Sequence, residues 1–461
     1  MFKKETYCDR RHRLIDQVKS GIILIPGNNQ SPINYTGNTF HFRQDSTFLY
    51  YIGIDEPGLT AVLDCESAEE ILFGDDVTME DIVWMGPQPS IAEMAKKTGI
   101  KKTAPSSRII EKIEDALKHK RRIHFLPQYR HDNVINLSKL TGINTHMLNK
   151  YSSREMILAV ASQRSFKTAE EIEQIEEALE ISYAMYILAM GMSKPGLYEH
   201  EVSGAVEGLV LSRDSHLSFP IIFSIHGETL HNHGHGNRMK GGDIVVMDSG
   251  AESSFHYASD ITRTFPVSGN FSGIQKDIYQ VVLDAQLGSI DMMTPGRSYK
   301  EIHLHAAEII ASGMKDLGFL RGDVKEMVAA GVHAIFFPHG LGHLLGLDVH
   351  DLENLGEDYF GYDEKVRRSD QFGLAYLRYA KALNPGLVLT VEPGIYFIPE
   401  LIRQWKNEKK NDQYINYEKI WAFKDFGGIR IEDDVLITND GHRVLGMPIP
   451  KSIEDVEAHC S

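Results

Sequence analysis

Cysteine is scarce in this chain of 461 residues, and the three that occur, Cys8, Cys65 and Cys460, form no Cys-x-x-Cys pair. So sparse a set excludes a disulfide framework and a thiolate zinc cage, and it indicates reduced thiols. No stretch reaches the roughly 18–20 unbroken apolar residues that a membrane span needs. The first residues lack the apolar core of a secretory signal. We therefore expect a cytoplasmic protein.

Basic residues are also in deficit. Lys and Arg number 48 against 64 Asp and Glu, which gives a net charge of −16. A field of this sign repels phosphate backbones and anionic membrane surfaces, so neither nucleic acid nor membrane is an expected partner. The hydrophobic fraction of 42% is ordinary for a globular protein. The length indicates two or three domains.

The first 150 residues have the pattern of a structural α/β domain. Apolar, β-branched and aromatic runs predict short strands over residues 21–26, 47–52 and 59–63. No group in this part has the spacing of a catalytic site. A boundary is expected between residues 152 and 167. We therefore place one domain at residues 1–160 and a second at residues 161–461.

The second domain begins with a clear helix signal. Thr168 and Glu171 have the spacing of a capping box, and apolar residues then recur at three- and four-residue steps until Pro195. A second helix is expected from Ser298, with Glu301 as its box partner. Short strands are expected over residues 244–247, 257–264, 388–391 and 428–437. Because strands and helices are interspersed without strict alternation, the pattern favours an α+β fold.

Two aspartates mark the first possible site. Asp248 ends an apolar strand, and Asp260 follows twelve positions later near the next strand. A single Asp at a strand end is usually a turn or capping residue. Two strands joined by a short connection, however, would bring both carboxylates together. Because neighbouring carboxylates repel each other unless a cation lies between them, the pair predicts a cation site.

Two glutamates lie at or within later strands. Glu392 precedes Pro393, which forces Glu392 into an extended conformation at the strand end. Glu432 and Arg430 fall on one face of the strand predicted over residues 428–437. An arginine beside a buried carboxylate neutralises and orients a metal-binding acid, whereas the same pair on the surface would contribute little.

Histidines form two groups. His339, His343 and His350 lie within twelve positions among glycines, which favours a metal or acid–base site over an isolated core histidine. A second group, His231, His233 and His235, lies in a loop before Asp248. We expect His231 to line the substrate pocket and the other two to be loop residues. Metal binding by this tract alone is the alternative.

The charges of the acids match two divalent ions. Asp248, Asp260, Glu392 and Glu432 carry four negative charges, and His343 adds one nitrogen ligand. Such an oxygen-rich set suits Mn²⁺, with Co²⁺, Fe²⁺ and Zn²⁺ as alternatives. Two ions about 3.5–4 Å apart would share a hydroxide that acts as nucleophile, and Glu392 would carry the proton to the leaving amine.

Six motifs stand in a familiar order, at residues 248–250, 259–266, 339–343, 348–351, 391–394 and 428–434. Together they resemble the aminopeptidase P and prolidase group of pita-bread metallopeptidases, from about residue 165 to the end. Residues 42–51 and 56–57 are similar to the N-terminal domain of aminopeptidase P. The resemblance implies an α+β pita-bread catalytic domain preceded by a smaller α/β creatinase-like domain. It also implies a homodimer or homotetramer.

The resemblance assigns a role to each site residue. The five metal ligands would be Asp248, Asp260, His343, Glu392 and Glu432. Asp248 would bind one ion, His343 and Glu392 the other, and Asp260 and Glu432 would bridge both. Glu392 would also act as general base. The substrate, the tetrahedral intermediate and the departing proline nitrogen would be steadied by His231, His339 and His350. Arg430 would hold the ligating carboxylates.

Three functions follow from these motifs. The first is a metal-dependent aminopeptidase that releases the first residue from peptides with proline at the second position. The second is prolidase, which cleaves only Xaa-Pro dipeptides. Residues 356–382 and 401–426 read as insertions, and as rim loops they would narrow the substrate site to dipeptides. Oligomer contacts and plain surface loops are the alternatives for these segments. The third is a pita-bread binding protein without activity. Such proteins typically lose metal ligands, whereas this chain keeps all five.

Overall fold

The computed structural model describes all 461 residues as a mixture of helices and short strands. The strands are β1 (Ile22–Pro26), β2 (Pro32–Tyr35), β3 (Asn38–Thr39), β4 (Thr60–Asp64), β5 (Glu70–Phe73), β6 (Lys102–Ala104), β7 (Ile123–His124), β8 (Ile222–Ser224), β9 (Ile244–Ser249), β10 (Ile261–Pro266), β11 (Val388–Val391), β12 (Gly394–Tyr396), β13 (Gly428–Arg430), β14 (Asp433–Ile437) and β15 (His442–Val444). The helices are α1 (Lys4–Val18), α2 (Ser46–Ile52), α3 (Met79–Met85), α4 (Ile91–Lys97), α5 (Ile109–Lys118), α6 (His131–Thr141), α7 (Arg154–Arg164), α8 (Ala169–Met192), α9 (Glu199–Ser212), α10 (Gly273–Asp291), α11 (Tyr299–Asp316), α12 (Val324–Ala329), α13 (Glu357–Phe360), α14 (Pro399–Asn407), α15 (Tyr417–Ala422) and α16 (Ile453–Cys460). No helix combines the length and the apolar character that crossing a lipid bilayer requires.

The chain forms two compact units. Unit 1 comprises residues 1–164 and 352–360, and unit 2 comprises residues 165–351 and 361–461. Unit 1 is built on a five-stranded sheet in the order β6-β5-β4-β1-β7, in which β1 runs antiparallel to β4 and parallel to β7. Its core contains the buried side chains of Ile22, Leu24, Val62, Phe73, Ile113 and Leu137. The strands expected at residues 21–26 and 59–63 are therefore confirmed, each within one residue.

The strand expected at residues 47–52 is wrong, because this segment forms helix α2. The carboxylate of Asp45 accepts hydrogen bonds from the backbone N–H groups of Thr47 and Phe48, and Gly53 ends the helix in the left-handed conformation. All seven residues of α2 are buried. The aromatic and β-branched composition therefore reflects burial, while the cap at Asp45 determines the backbone.

The long helices of unit 2 agree with the sequence in position. Helix α8 begins with the predicted capping box of Thr168 and Glu171. Helix α11 begins after Ser298 as expected, but the Ser298 side chain makes no capping hydrogen bond. It donates to the carbonyl oxygen of Ala380 instead. The capping-box prediction at Ser298 is therefore wrong, because a contact distant in sequence competes for the hydroxyl.

Three small sheets carry the acids of unit 2. They have the orders β10-β9-β8, β11-β14-β15 and β12-β13. The single strand expected at residues 428–437 is wrong, since it divides into β13 and β14. At the break, the N–H of Glu432 donates to the carbonyl oxygen of Thr262. This bridge fixes Glu432 beside the β9–β10 hairpin.

The two predicted insertions, residues 401–426 and 356–382, differ from each other in structure. Residues 401–426 contain most of α14 and all of α15, whose Ile402, Trp405 and Ile420 side chains are buried. Residues 356–382 contain only short helical turns around Glu357–Phe360 and Leu374–Tyr376. The first segment is therefore packed helical structure and the second is mostly loop.

Candidate metal centre

The β9–β10 hairpin brings the two aspartates to one end of its sheet. Asp248 lies in β9 opposite Thr262 of β10, and Asp260 immediately precedes β10. Both side chains are buried. The N–H of Asp260 donates to Oδ2 of Asp434 at 3.0 Å, which fixes the backbone at this position.

His343 and the later acids meet this hairpin. One ligand atom each of Asp260, His343 and Glu432 lies within 4.8 Å of the others. Nε2 of His343 is 3.4 Å from Oδ2 of Asp260 and 3.5 Å from Oε1 of Glu392. Four of the five predicted ligands thus lie around one point, and Asp248 joins them through Arg430, whose NH2 is 2.6 Å from Oδ2 of Asp248.

Three buried carboxylate oxygens of this cluster have no hydrogen-bond partner. They are Oδ1 of Asp248, Oδ1 of Asp260 and Oε1 of Glu432. Burial, reinforced by the charges of neighbouring acids, raises the pKa of Asp260 and of Glu432 well above their usual ranges. Buried acids with unpartnered oxygens are unfavourable unless a cation binds them. The donor set therefore fits divalent metal ions.

His343 is oriented as a neutral ligand. Its Nδ1 lies 3.1 Å from the carbonyl oxygen of Leu344, and an Nδ1–H donated there leaves the Nε2 lone pair facing the carboxylates. Burial lowers the pKa of His343 well below its usual value, so the ring is neutral. A neutral imidazole is the form that binds metal.

Two threonine hydroxyls, which the sequence motifs did not single out, hold the ligands. The hydroxyl of Thr390 accepts from the N–H of His343 at 3.1 Å and donates to Oε1 of Glu392 at 3.3 Å. The hydroxyl of Thr262 donates to Oε2 of Glu432 at 2.7 Å. Both threonines lie in strands that carry or face a ligand, which is the only signal that sequence offers for them.

Arg430 connects the acids to an aromatic residue. Its buried guanidinium donates to Asp248, to the hydroxyl of Thr262 at 3.1 Å and to the hydroxyl of Tyr396 at 2.9 Å. That Tyr396 hydroxyl lies 2.9 Å from Nε2 of His339. Tyr396 was also missed by the sequence motifs, although it lies in the strand that follows Glu392.

Glu392 lies between two histidines. Its Oε1 approaches His343, and its Oε2 is 3.8 Å from Nδ1 of His339. Burial and the charge of Asp248 raise the pKa of Glu392 to about 8, although Arg430 opposes the rise. Burial lowers the pKa of His339 to about 3. A carboxyl group that titrates near neutrality beside a neutral imidazole is suited to proton transfer.

The remaining predicted histidines lie at the edge of the cluster. The His350 ring packs against His343, with ring centroids 4.3 Å apart. His231 as a whole residue is exposed, but partial desolvation of its ring and the charge of Arg430 lower its pKa. His235 faces the carbonyl oxygen of Phe223 at 3.2 Å, as expected of a loop residue.

Arg378 is a further residue of this edge. Its NH1 donates to Nδ1 of His350 at 2.7 Å, and its charge contributes to lowering the pKa of His343. It lies within the predicted insertion at residues 356–382, where no spacing pattern distinguishes it. Only the folded chain places a guanidinium there.

Known proteins share both the sequence and this architecture. The model of metallopeptidase family M24 matches residues 173–439, and that of the aminopeptidase P N-terminal domain matches residues 7–124. The Homo sapiens Xaa-Pro dipeptidase is 31% identical, covering 99% of this chain and 92% of its own length. The Xaa-Pro aminopeptidase of Escherichia coli strain K12 is 30% identical, covering 99% and 97%.

Solved structures are similar over the whole chain. Zn-substituted E. coli aminopeptidase P in complex with product gives a TM-score of 0.80 at 27% identity, covering 100% of this chain and 98% of that one. An aminopeptidase from Pseudomonas aeruginosa gives a TM-score of 0.80 at 28% identity, with the same coverage.

Proposed function

The chain belongs to metallopeptidase family M24, and from this membership we propose that it is an Xaa-Pro aminopeptidase, which releases the first residue of peptides whose second residue is proline. The observation that carries the proposal is the buried cluster of acids and His343 with three unpartnered carboxylate oxygens. Peptidases of this kind need both a divalent ion and a proton carrier, and the cluster offers groups for each.

We propose that Asp248, Asp260, His343, Glu392 and Glu432 hold two divalent ions. The oxygen-rich donor set favours Mn²⁺, with Co²⁺, Fe²⁺ and Zn²⁺ as alternatives. When bound, such ions lower the pKa of water and polarise the scissile carbonyl group. Thr262 and Thr390 orient Glu432 and Glu392, and Arg430 fixes Asp248.

The other groups act on the peptide. Glu392 accepts a proton from the attacking water and delivers it to the proline nitrogen. His339, held by Tyr396, and His350, held by Arg378, steady the substrate and the tetrahedral intermediate. His231 contacts the peptide from the exposed edge of the site.

Prolidase activity is the second candidate, and Arg378 favours it. A guanidinium beside His350 is able to bind the carboxylate that a dipeptide places next to its proline. In a longer peptide, that position is an amide. The identity of 31% to the human Xaa-Pro dipeptidase supports the same candidate.

A cleavage panel separates these candidates. Gly-Pro-Ala, Gly-Pro and Gly-Ala-Ala are each incubated with enzyme and Mn²⁺, with and without a chelator. We expect chelator-sensitive release of glycine from Gly-Pro-Ala and none from Gly-Ala-Ala. Cleavage of Gly-Pro alone would assign the chain as a prolidase. Absence of metal-dependent cleavage of all three would contradict the proposed function.

The setting of the enzyme is also proposed. We propose a cytoplasmic homodimer or homotetramer without nucleic-acid or membrane partners. We also propose that the boundary between its two functional domains lies near residue 160 of the sequence. Its cysteines are free, as in a reducing compartment. Helix α3 carries the exposed apolar side chains of Met79, Val83, Trp84 and Met85, with Trp84 80% exposed, which supports association between copies. Light scattering of the purified protein measures the oligomeric state.

A further inference from the structure

A fully buried ion pair lies outside the residues that the proposed chemistry uses. Nζ of Lys167 is 2.9 Å from Oδ2 of Asp351, and both side chains are 1% exposed. A buried pair of this kind contributes little net stability, because desolvation of both charges opposes their attraction. The position of the pair within unit 2 points to another role.

Backbone hydrogen bonds anchor Lys167 to the sheet that leads to Glu392. Its N–H donates to the carbonyl oxygen of Gly386 at 2.8 Å. The N–H of Gly386 in turn donates to the carbonyl oxygen of Ile437 at 2.9 Å. Gly386 lies two residues before β11, and Ile437 ends β14. The ammonium group of Lys167 therefore projects from a fixed point of the site's own framework.

Asp351 belongs to the loop that carries His350. Its N–H donates to the carbonyl oxygen of Leu344 at 2.9 Å, which closes this loop onto the residue after His343. Gly346 lies against the ion pair, and a Cβ atom there would be 2.5 Å from Oδ2 of Asp351 and 2.9 Å from Cε of Lys167. The pair thus packs directly on the loop backbone.

The same loop touches the β9–β10 hairpin. The N–H of Ala258 donates to the carbonyl oxygen of Gly346 at 2.8 Å, two residues before Asp260. The loop is therefore hydrogen-bonded to the hairpin at Gly346 and ion-paired with the framework at Asp351. His350 immediately precedes Asp351, and its ring rests against His343.

We propose that Lys167 is a positioning residue for His350, acting through its buried ion pair with Asp351. The ammonium group holds the carboxylate, the carboxylate fixes the end of the loop, and the loop aligns the His350 imidazole with His343 and the peptide. The inference rests on the proposed function for the role of His350.

The test removes both charges of the Lys167–Asp351 pair, first in the wild type and then in a His350→Ala variant. Lys167→Met alone removes the ammonium group that faces the buried Asp351 carboxylate and lowers the Tm. Lys167→Met/Asp351→Asn removes both charges and restores most of the Tm. We expect this double variant to bind metal as the wild type does and to cleave Gly-Pro-Ala with a kcat/KM at least about tenfold lower.

Non-additivity separates positioning from a general structural role. In a His350→Ala background, the same double substitution should change kcat/KM by less than about twofold, because the group it positions is gone. An equal loss in both backgrounds, or a wild-type kcat/KM in the double variant, would overturn the inference. Lys167→Arg, which keeps the charge, should show an intermediate loss.

A crystal structure of the double variant gives a readout that does not depend on activity. The distance between the ring centroids of His343 and His350 is expected to lengthen by at least about 1 Å from its present 4.3 Å. An unchanged distance would overturn the inference. If the wild type cleaves none of the peptides, the proposed function fails, and this distance still decides the role of Lys167.

Discussion

At the scale of single residues, the acids and histidines that the fold brings together could be identified from the sequence. The residues that hydrogen-bond to them and orient them could not. Asp248 closes an apolar run before Ser249-Gly250, Asp260 precedes a β-branched run, and Glu432 lies next to Asp433, and these patterns are visible in the sequence. Thr390 and Tyr396 show no such pattern, because their roles arise from pairing between strands distant in sequence. The assignment of individual metal ligands and of the catalytic roles stays a prediction.

Thr390 supplies a test of these supports. Thr390→Val keeps the side-chain shape but removes the hydroxyl that connects His343 with Glu392. We expect kcat/KM for Gly-Pro-Ala to fall about tenfold, since both ligands lose a hydrogen bond that orients them. Steady-state kinetics and metal analysis measure the effect. Thr145→Val at an exposed position is the matched control; a loss no larger than in this control would contradict the role of Thr390.

A substitution at Glu432 tests whether this buried acid destabilises the metal-free fold while it contributes to metal binding. Glu432→Gln removes a buried acid whose pKa is raised by burial and by the charges of Glu392 and Asp248. The metal-free variant should therefore resist denaturation better than the metal-free wild type, because the amide removes a buried acid from among like charges. Metal bound per chain should fall. Denaturation with chelator and elemental analysis check both; a metal-free variant less stable than the wild type would contradict this account.

At the scale of elements, the capping box of α8 was predictable from sequence, whereas contacts between residues distant in sequence were not. The α8 capping box lies within four residues, so sequence alone determined it. At Ser298 a distant carbonyl takes the hydroxyl, and at Glu432 a bridge to Thr262 divides one expected strand into two. Helix α2 shows that a run of aromatic residues is a better predictor of burial than of strand conformation.

Helix α11 and the turn Val332–Ile335 hold two buried histidines, His303 and His333, whose ring nitrogens have no hydrogen-bond partner. Burial lowers the pKa of His333 to about 4. Between about pH 4 and 6.5 the unfolded chain therefore binds a proton that folded His333 does not, so the unfolding free energy falls as pH falls through this window.

His333→Leu removes this proton uptake. We expect the variant to lose less stability than the wild type between pH 7 and pH 4.5, by up to about 1.4 kcal/mol per pH unit within the window. Urea unfolding at several pH values measures it. His146→Leu at an exposed position is the control. Parallel pH profiles for the wild type and His333→Leu would show that His333 titrates normally in the folded protein.

At the scale of the whole molecule, motif order was the strongest predictor. The predicted family, the pairing of an aminopeptidase P-type N-terminal domain with a pita-bread domain, and the metal-dependent hydrolase activity are confirmed. The grouping of residues 352–360 with unit 1 had no sequence signal, because it depends on contacts such as that between Asn354 and the carbonyl oxygen of Pro127. The domain boundary near residue 160, the native metal and the oligomeric state stay predictions.

Titration of metal-free protein with Mn²⁺, followed by glycine release from Gly-Pro-Ala, tests the central claim most directly. The four acids and one histidine predict no glycine release without metal and an activity that reaches its plateau near two Mn²⁺ per chain. Asp260→Asn should abolish the plateau, because it removes a charge from the centre of the cluster. Release of glycine by the metal-free protein, or no release at any Mn²⁺ concentration, would contradict the account.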